Sequence, residues 1–220
     1  MKRTFHWAII SLPAFIFAVA GFTYLCDGIS VNASFPIPLH LRIGEAESPT
    51  AYRAAAKSLL GANQRNGDAQ IARAEAEFHA VGNIQSATSL VLQGLTKSPA
   101  SVEGWIFYAE MLAPSDPEKA ARALHVSYMV SSQDFFAMPR RCELAASVWP
   151  YLEKEDQTAA YQETRKLWII PGSRYALMAL TGTAAGRELV TRAWMNSPEQ
   201  IRLINRWVSA QNRQLLGQPK

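Results

Sequence analysis

Cysteine is nearly missing from this chain of 220 residues: Cys26 and Cys142 are the two present. A disulfide scaffold needs a larger set at regular spacing, so both are read as unpaired thiols. Zinc is disfavoured on similar grounds. No Cys-x-x-Cys occurs, and none of the histidines, His6, His40, His79 and His125, has another three or four positions away. His79 and His125 are expected to cap or flank helix faces. Phosphate-cradling loops are absent too, with no Gly-x-x-x-x-Gly-Lys and no Gly-x-Gly-x-x-Gly after a strand. The nearest piece, "GTAAG" from Gly182 to Gly186, lies between helical segments and reads as a helix–helix turn. There is no Gly-x-Ser-x-Gly nucleophile elbow. No run alternates like a half-buried strand. Together these absences leave no cofactor or metal implied.

Charge is sparse, at 18%, whereas apolar residues make up 49% and suffice for a real core. Part of the imbalance sits at the front. Lys2 and Arg3 precede an uncharged run from Trp7 to Cys26, and Asp27 follows it. A helix of about 20 such residues is about 30 Å long, the hydrocarbon thickness of a bilayer. The positive-inside rule places the N-terminus in the cytoplasm and the remainder across a bacterial inner membrane, in the periplasm. An uncleaved signal anchor is the first reading of residues 1–26. A cleaved signal peptide is the second, because Ala18-x-Ala20 is a small-residue cleavage pattern that leaves a soluble periplasmic chain. The run continues through Phe22, Tyr24 and Leu25, which suits a span better. A lipoprotein signal at Cys26 is disfavoured by the bulky residues of "TYLC". Residues 27–49 contain three prolines and read as an extended linker. The sequon Asn32-Ala33-Ser34 matters only in a eukaryotic secretory setting.

The formal net charge of +4 hides an asymmetry. Asp27 to Thr164 carries 11 basic and 16 acidic residues, whereas Arg165 to Lys220 carries 9 basic and 2 acidic.

From residue 50 to 215 the pattern is helical. Segments near 50–62, 68–81, 84–97, 101–113, 117–131, 140–152, 156–168, 173–181, 185–195 and 198–215 are separated by Gly, Pro, Asn or Asp, with a short tail at 216–220. The dipeptide Ser-Pro recurs at Ser48, Ser98 and Ser197, where serine as N-cap and proline at the first helical position would start a helix. Short turns between such segments predict antiparallel helix pairs. The pairs repeat at 34 residues. Ile71 and Phe78 lie on one helix, Gly82-Asn83 turns, Ala87, Val91 and Gly94 lie on the next, and Pro99 ends the unit. One repeat later Ile71 becomes Trp105, Phe78 becomes Leu112, Asn83 becomes Pro117 and Ala87 becomes Ala121. A third unit offers Leu144, Val148 and Tyr151, a turn at Glu155-Asp156, then Ala160, Leu167 and Pro171.

On Trp105, Ala109, Leu112 and Ala121, and on Phe78, Gly82, Ala87 and Pro99, the chain resembles the tetratricopeptide repeat family over residues 68–174. The resemblance implies stacked antiparallel helix pairs, an all-α solenoid, and a role in protein–protein interaction. Three departures mark it. Glu75 replaces a small residue, Asp116-Pro117 replaces the glycine turn, and a slip at Phe136 to Arg140 separates the second and third units. Trp105, Ala109 and Leu112 fall on one helix face, which reads as core, and truncating Trp105 would cost roughly 3–5 kcal/mol.

Two candidate sites remain. Glu110 is the acid embedded in an apolar, aromatic stretch, where a glycan-cutting enzyme would want its proton donor; a solvated helix face is the plainer reading. Arg202, Arg206 and Arg213 fall within about 40° of one another on the last helix, beside Ile201, Ile204, Val208 and Leu215. Such a stripe suits an acidic protein, an acidic polysaccharide or anionic headgroups. An exported domain rarely meets nucleic acid. The expected role is a non-catalytic, membrane-tethered adaptor for a protein partner.

Overall fold

The computed structural model describes residues 48–60 and 66–215. The expected anchor at 1–26, nearly all of the 27–49 linker and the 216–220 tail lie outside them, and with them Cys26, His6, His40 and the Asn32 sequon. Among the described residues there are ten α-helices and no strand, and no helix is long and apolar enough to cross a membrane. The helices are α1 (Pro49–Leu59), α2 (Gly67–Val81), α3 (Ile84–Lys97), α4 (Val102–Leu112), α5 (Pro117–Val130), α6 (Met138–Ser147), α7 (Lys154–Ile169), α8 (Arg174–Gly182), α9 (Ala184–Ala193) and α10 (Pro198–Leu215).

Local chemistry sets most of these ends. Ser48 Oγ accepts from Ala51 N–H, with Pro49 opening α1. Gly82 closes α2 in the left-handed region at φ 76°, and Asn83 Oδ1 accepts from Ser86 N–H to start α3. Asp116 Oδ1 accepts from Lys119 N–H ahead of Pro117. Ser98-Pro99 departs from its expected role. Ser98 is the C-cap of α3, its N–H donating to Gly94 O at 2.8 Å, and Ser101 caps α4 instead. A residue before proline is pushed out of the helical region, and this ends α3.

Two corrections fall in the expected third unit. The expected helix 140–152 stops at Ser147, and a 3-10 turn at Trp149–Tyr151 follows. Pro150 lacks the N–H that would continue the ladder. The change of period turns Tyr151 outward. The turn expected at Glu155-Asp156 lies earlier, with Glu153 as N-cap and both acids in the first turn of α7.

The described chain divides into two compact units with the boundary at Pro99, the residue expected to end the first repeat. In the first unit α1 packs on α2, and α2 on α3. Leu59, Ala69, Ile71, Ala87 and Val91 are buried there. The α2–α3 contact is close because glycines face each other: a methyl on Gly94 would stand 2.8 Å from Gly67 O, and one on Gly67 2.4 Å from Gly94 O.

In the second unit α4 pairs with α5, α6 with α7 and α8 with α9. Helix α6 also meets α4 and α5, and α9 meets α6 and α7. Ile106, Phe107, Leu124, Met138, Leu167, Leu177, Leu189 and Ile204 form the buried interior. Of the expected repeat-core positions, Ile71, Ala87, Ala109 and Ala121 are buried, Phe78, Trp105 and Leu112 are half-buried, and Pro99 is exposed. Trp105 is not the deepest position of α4. Gly104, Ile106, Phe107, Tyr108, Ala109 and Met111 are all buried, so most of the helix circumference is covered and Phe107 occupies the interior in its place.

Candidate interaction surface

Three groups of polar side chains stand out, all within the second unit. The first is internal. Arg141 has no exposed surface, and its Nη1 donates to Ser127 O at 3.2 Å and Ser131 O at 2.7 Å. Its Nη2 donates to Asp134 O at 3.4 Å. These carbonyls belong to the end of α5 and the loop after it, so Arg141 caps that helix from inside. The guanidinium lies 4.9 Å from the Tyr128 ring centre and 3.1 Å from Glu163 Oε1. Neither Glu163 oxygen accepts a hydrogen bond. Dehydration without a donor pushes its carboxyl up to about 8, with Arg141 opposing the shift. Burial likewise raises the Tyr128 hydroxyl and the Cys142 thiol well above their ordinary values. Nearby, His125 Nδ1 meets Asp156 Oδ1 at 2.9 Å, giving α5 and α7 a second polar link. Sequence reasoning missed this cluster, because nothing in "PRRCE" separates the buried Arg141 from the more exposed Arg140.

The second group contains Glu110. Arg140 Nε and Nη2 hold its two oxygens at 2.8 and 2.5 Å, and Arg140 Nη1 reaches Glu103 Oε2 at 3.2 Å. A shallow cleft of about 310 Å³ beside it is walled by Ala113, Pro114, Glu143 and Leu144. The Glu143 carboxyl is raised by dehydration at that wall and then by the charge of Glu110, although the side chain as a whole is exposed. Both oxygens of Glu110 therefore face a guanidinium, which makes the residue a clasp between α4 and α6.

The third group is the basic third of the chain. Several of its cations bind the carbonyl ends of neighbouring helices. Arg165 Nε donates to Ala193 O at 2.6 Å, Arg174 Nε to Trp168 O at 2.8 Å, and Arg187 Nη1 to Thr181 O at 2.9 Å. These close helix C-termini, where cations are favoured. Lys166 reaches Gln133, and Arg192 pairs with Glu188. Arg192 also covers Trp149 at the mouth of a cleft of about 360 Å³ lined by Pro150, Ala185 and Leu189. What remains is α10. Arg202 lies 3.9 Å from Glu199, an exposed and weak pair, while Arg206 and Arg213 have no ion pair among the described residues.

Helix α10 is seated by Ile204, which is wholly buried, and by half-buried Ile201, Trp207 and Val208. Trp207 meets Trp168 and Tyr175 edge-on at 5.9 and 5.8 Å. Arg202, Arg206 and Arg213 are exposed, and at about 100° per residue they lie roughly opposite Ile204. The stripe expected beside the apolar arc thus stands across the helix from its deepest residue. Among the described residues no group of three or more histidine, cysteine or acidic side chains is placed to hold a metal. Comparison with family models, with curated proteins and with solved structures finds no match.

Proposed function

We propose that this protein is a non-catalytic, membrane-tethered adaptor with a tetratricopeptide-like solenoid, serving a bacterial envelope process such as polysaccharide assembly or secretion. Residues 7–26 act as the inner-membrane tether and hold the helical domain in the periplasm, where it binds protein partners. The observation that carries the reading is the recurrence of helix pairs at repeat length. Helices α2 and α4 begin at Gly67 and Val102, and α3 and α5 at Ile84 and Pro117, each offset close to the roughly 34 residues of a tetratricopeptide unit. Helix-pair solenoids offer long surfaces to partners, and a tether raises their effective concentration at a membrane complex. The carboxylate that an enzyme reading requires, Glu110, is engaged through both oxygens by Arg140, which favours a structural role. Co-purification from mild detergent extracts tests the adaptor reading. A stoichiometric companion supports it, and a chain that always emerges alone removes its main prop. A second reading, binding of an acidic polymer through the C-terminal helices, draws support from the unpaired Arg206 and Arg213.

A further inference from the structure

Helix α10 carries a second periodicity that its own packing covers only in part, at Trp207 and Ala210. Leu203 and Ala210 are one heptad apart, with Trp207 and Gln214 between and after them. These four fall within about 60° of the helix circumference, between the Ile204 side and the arginine side. Leu203 is 48% exposed, and the neighbouring Tyr175, in ring contact with Trp207, is 64% exposed. Arg206 and Arg213 are likewise one heptad apart and border this seam along its whole length. A shallow apolar strip edged by arginines in register is how one helix of a coiled coil addresses another.

We propose that this face of α10 binds an acidic amphipathic helix of a partner protein. The inference rests on the adaptor reading and names the chemistry of its partner. Charge complementarity selects the occupant. Both flanking residues are arginine, whose planar fork takes a carboxylate bidentately, and neither has a carboxylate among the described residues. A second copy is a poor occupant, because antiparallel α10 helices would set arginine against arginine. A lipid surface is disfavoured because the apolar side of α10 is already seated on its own unit through Ile204. An acidic glycan would use the arginines but has no use for Leu203 and Ala210 in heptad phase. The apolar strip supplies contact area, while the arginines set register, orientation and encounter rate.

The test uses the full chain in nonionic detergent. The probe is a synthetic helical peptide of about 21 residues with leucine at a and d and glutamate at e and g. Comparison probes are its scrambled isomer, an oligogalacturonate and a short-chain phosphatidylglycerol. The peptide is expected to bind at least about tenfold more tightly than its scramble, and to weaken with added salt. The double variant Arg206→Glu/Arg213→Glu should lose that preference and regain it toward a lysine-for-glutamate peptide. Leu203→Asp should lose it toward both. All three positions are exposed or half-exposed, and unchanged thermal melting shows that the variants fold. Equal binding of peptide and scramble overturns the proposal. So does arginine-dependent binding of the glycan or the lipid without helix preference. Partner co-purification that survives Arg206→Glu/Arg213→Glu removes this face and keeps the adaptor, whereas a wild-type chain without any companion removes the adaptor itself.

Discussion

Arg141 and Glu163 face each other inside the second unit, 3.1 Å apart, and the arginine has no exposed surface. The pair joins α6 to α7 while the same guanidinium holds the carbonyls that end α5. Removing Arg141 bares the carbonyls that end α5 and empties the buried space beside the Glu163 carboxyl. Arg141→Ala should therefore cost about 3–5 kcal/mol, measured by urea unfolding of the full chain followed by helical circular dichroism. A loss under about 1 kcal/mol would show that the cluster is not a lock.

The same pair sets a pH dependence. Glu163 titrates at about 8 in the folded chain against an ordinary value of 4.5, so the folded state binds its proton more tightly. Its contribution is fully present below 4.5 and is lost as pH rises through about 8. Stability should fall between pH 5 and 9, and Glu163→Gln should flatten that slope. Urea midpoints at three pH values decide it. Equal slopes in wild type and variant would mean that another group is responsible.

Glycine positions give the sharpest steric test. A methyl on Gly186 would stand 1.8 Å from Leu180 O, where the backbone of α8 meets the start of α9. Gly186→Ala should cost about 1–3 kcal/mol or more. At Gly182 a methyl meets nothing within 4 Å, and Gly182→Ala should be neutral or stabilising by up to about 1 kcal/mol. Thermal melting of the two variants should move in clearly different amounts.

Burial within α4 makes a ranking. Phe107 is wholly buried and Trp105 half-buried, so Phe107→Ala should lose about 3–5 kcal/mol and Trp105→Ala measurably less. The reverse order would place Trp105 at the heart of the repeat.

Cys142 should be silent. Its thiol is buried and raised well above the ordinary range, and burial is the largest cause. In a Cys26→Ser background, a thiol reagent should label the native chain only at the rate of unfolding. Prompt labelling without denaturant would show that the α6–α7 interior opens.

Elements were legible in the sequence where one residue type does one job. Gly82-Asn83, Asp116-Pro117 and Ser48-Pro49 each declare a helix boundary, and all are boundaries in the fold. Ser98-Pro99 carried the same signal but ended a helix, because Pro99 pushes Ser98 out of the helical region and Ser101 caps the next helix instead. The buried polar cluster was illegible. A charged residue reads as solvent-facing, and only three-dimensional convergence on the end of α5 reveals that Arg141 is interior. The basic surplus was visible as a count, yet Arg165, Arg174 and Arg187 close helix ends, and that division of labour depends on tertiary neighbours. The arginine stripe was visible from helical period alone. Its place opposite Ile204 required knowing which side of α10 is seated.

Site-specific photocrosslinking in intact cells tests the central claim most directly. A photoreactive residue placed in turn at Leu203, Tyr175 and Phe136, all exposed, reports what touches the helical domain in the cell. The adaptor account predicts discrete adducts to a defined membrane-complex protein, strongest at Leu203 and weakened by Arg206→Glu/Arg213→Glu. A chain that forms no protein adduct at any of these positions would contradict it.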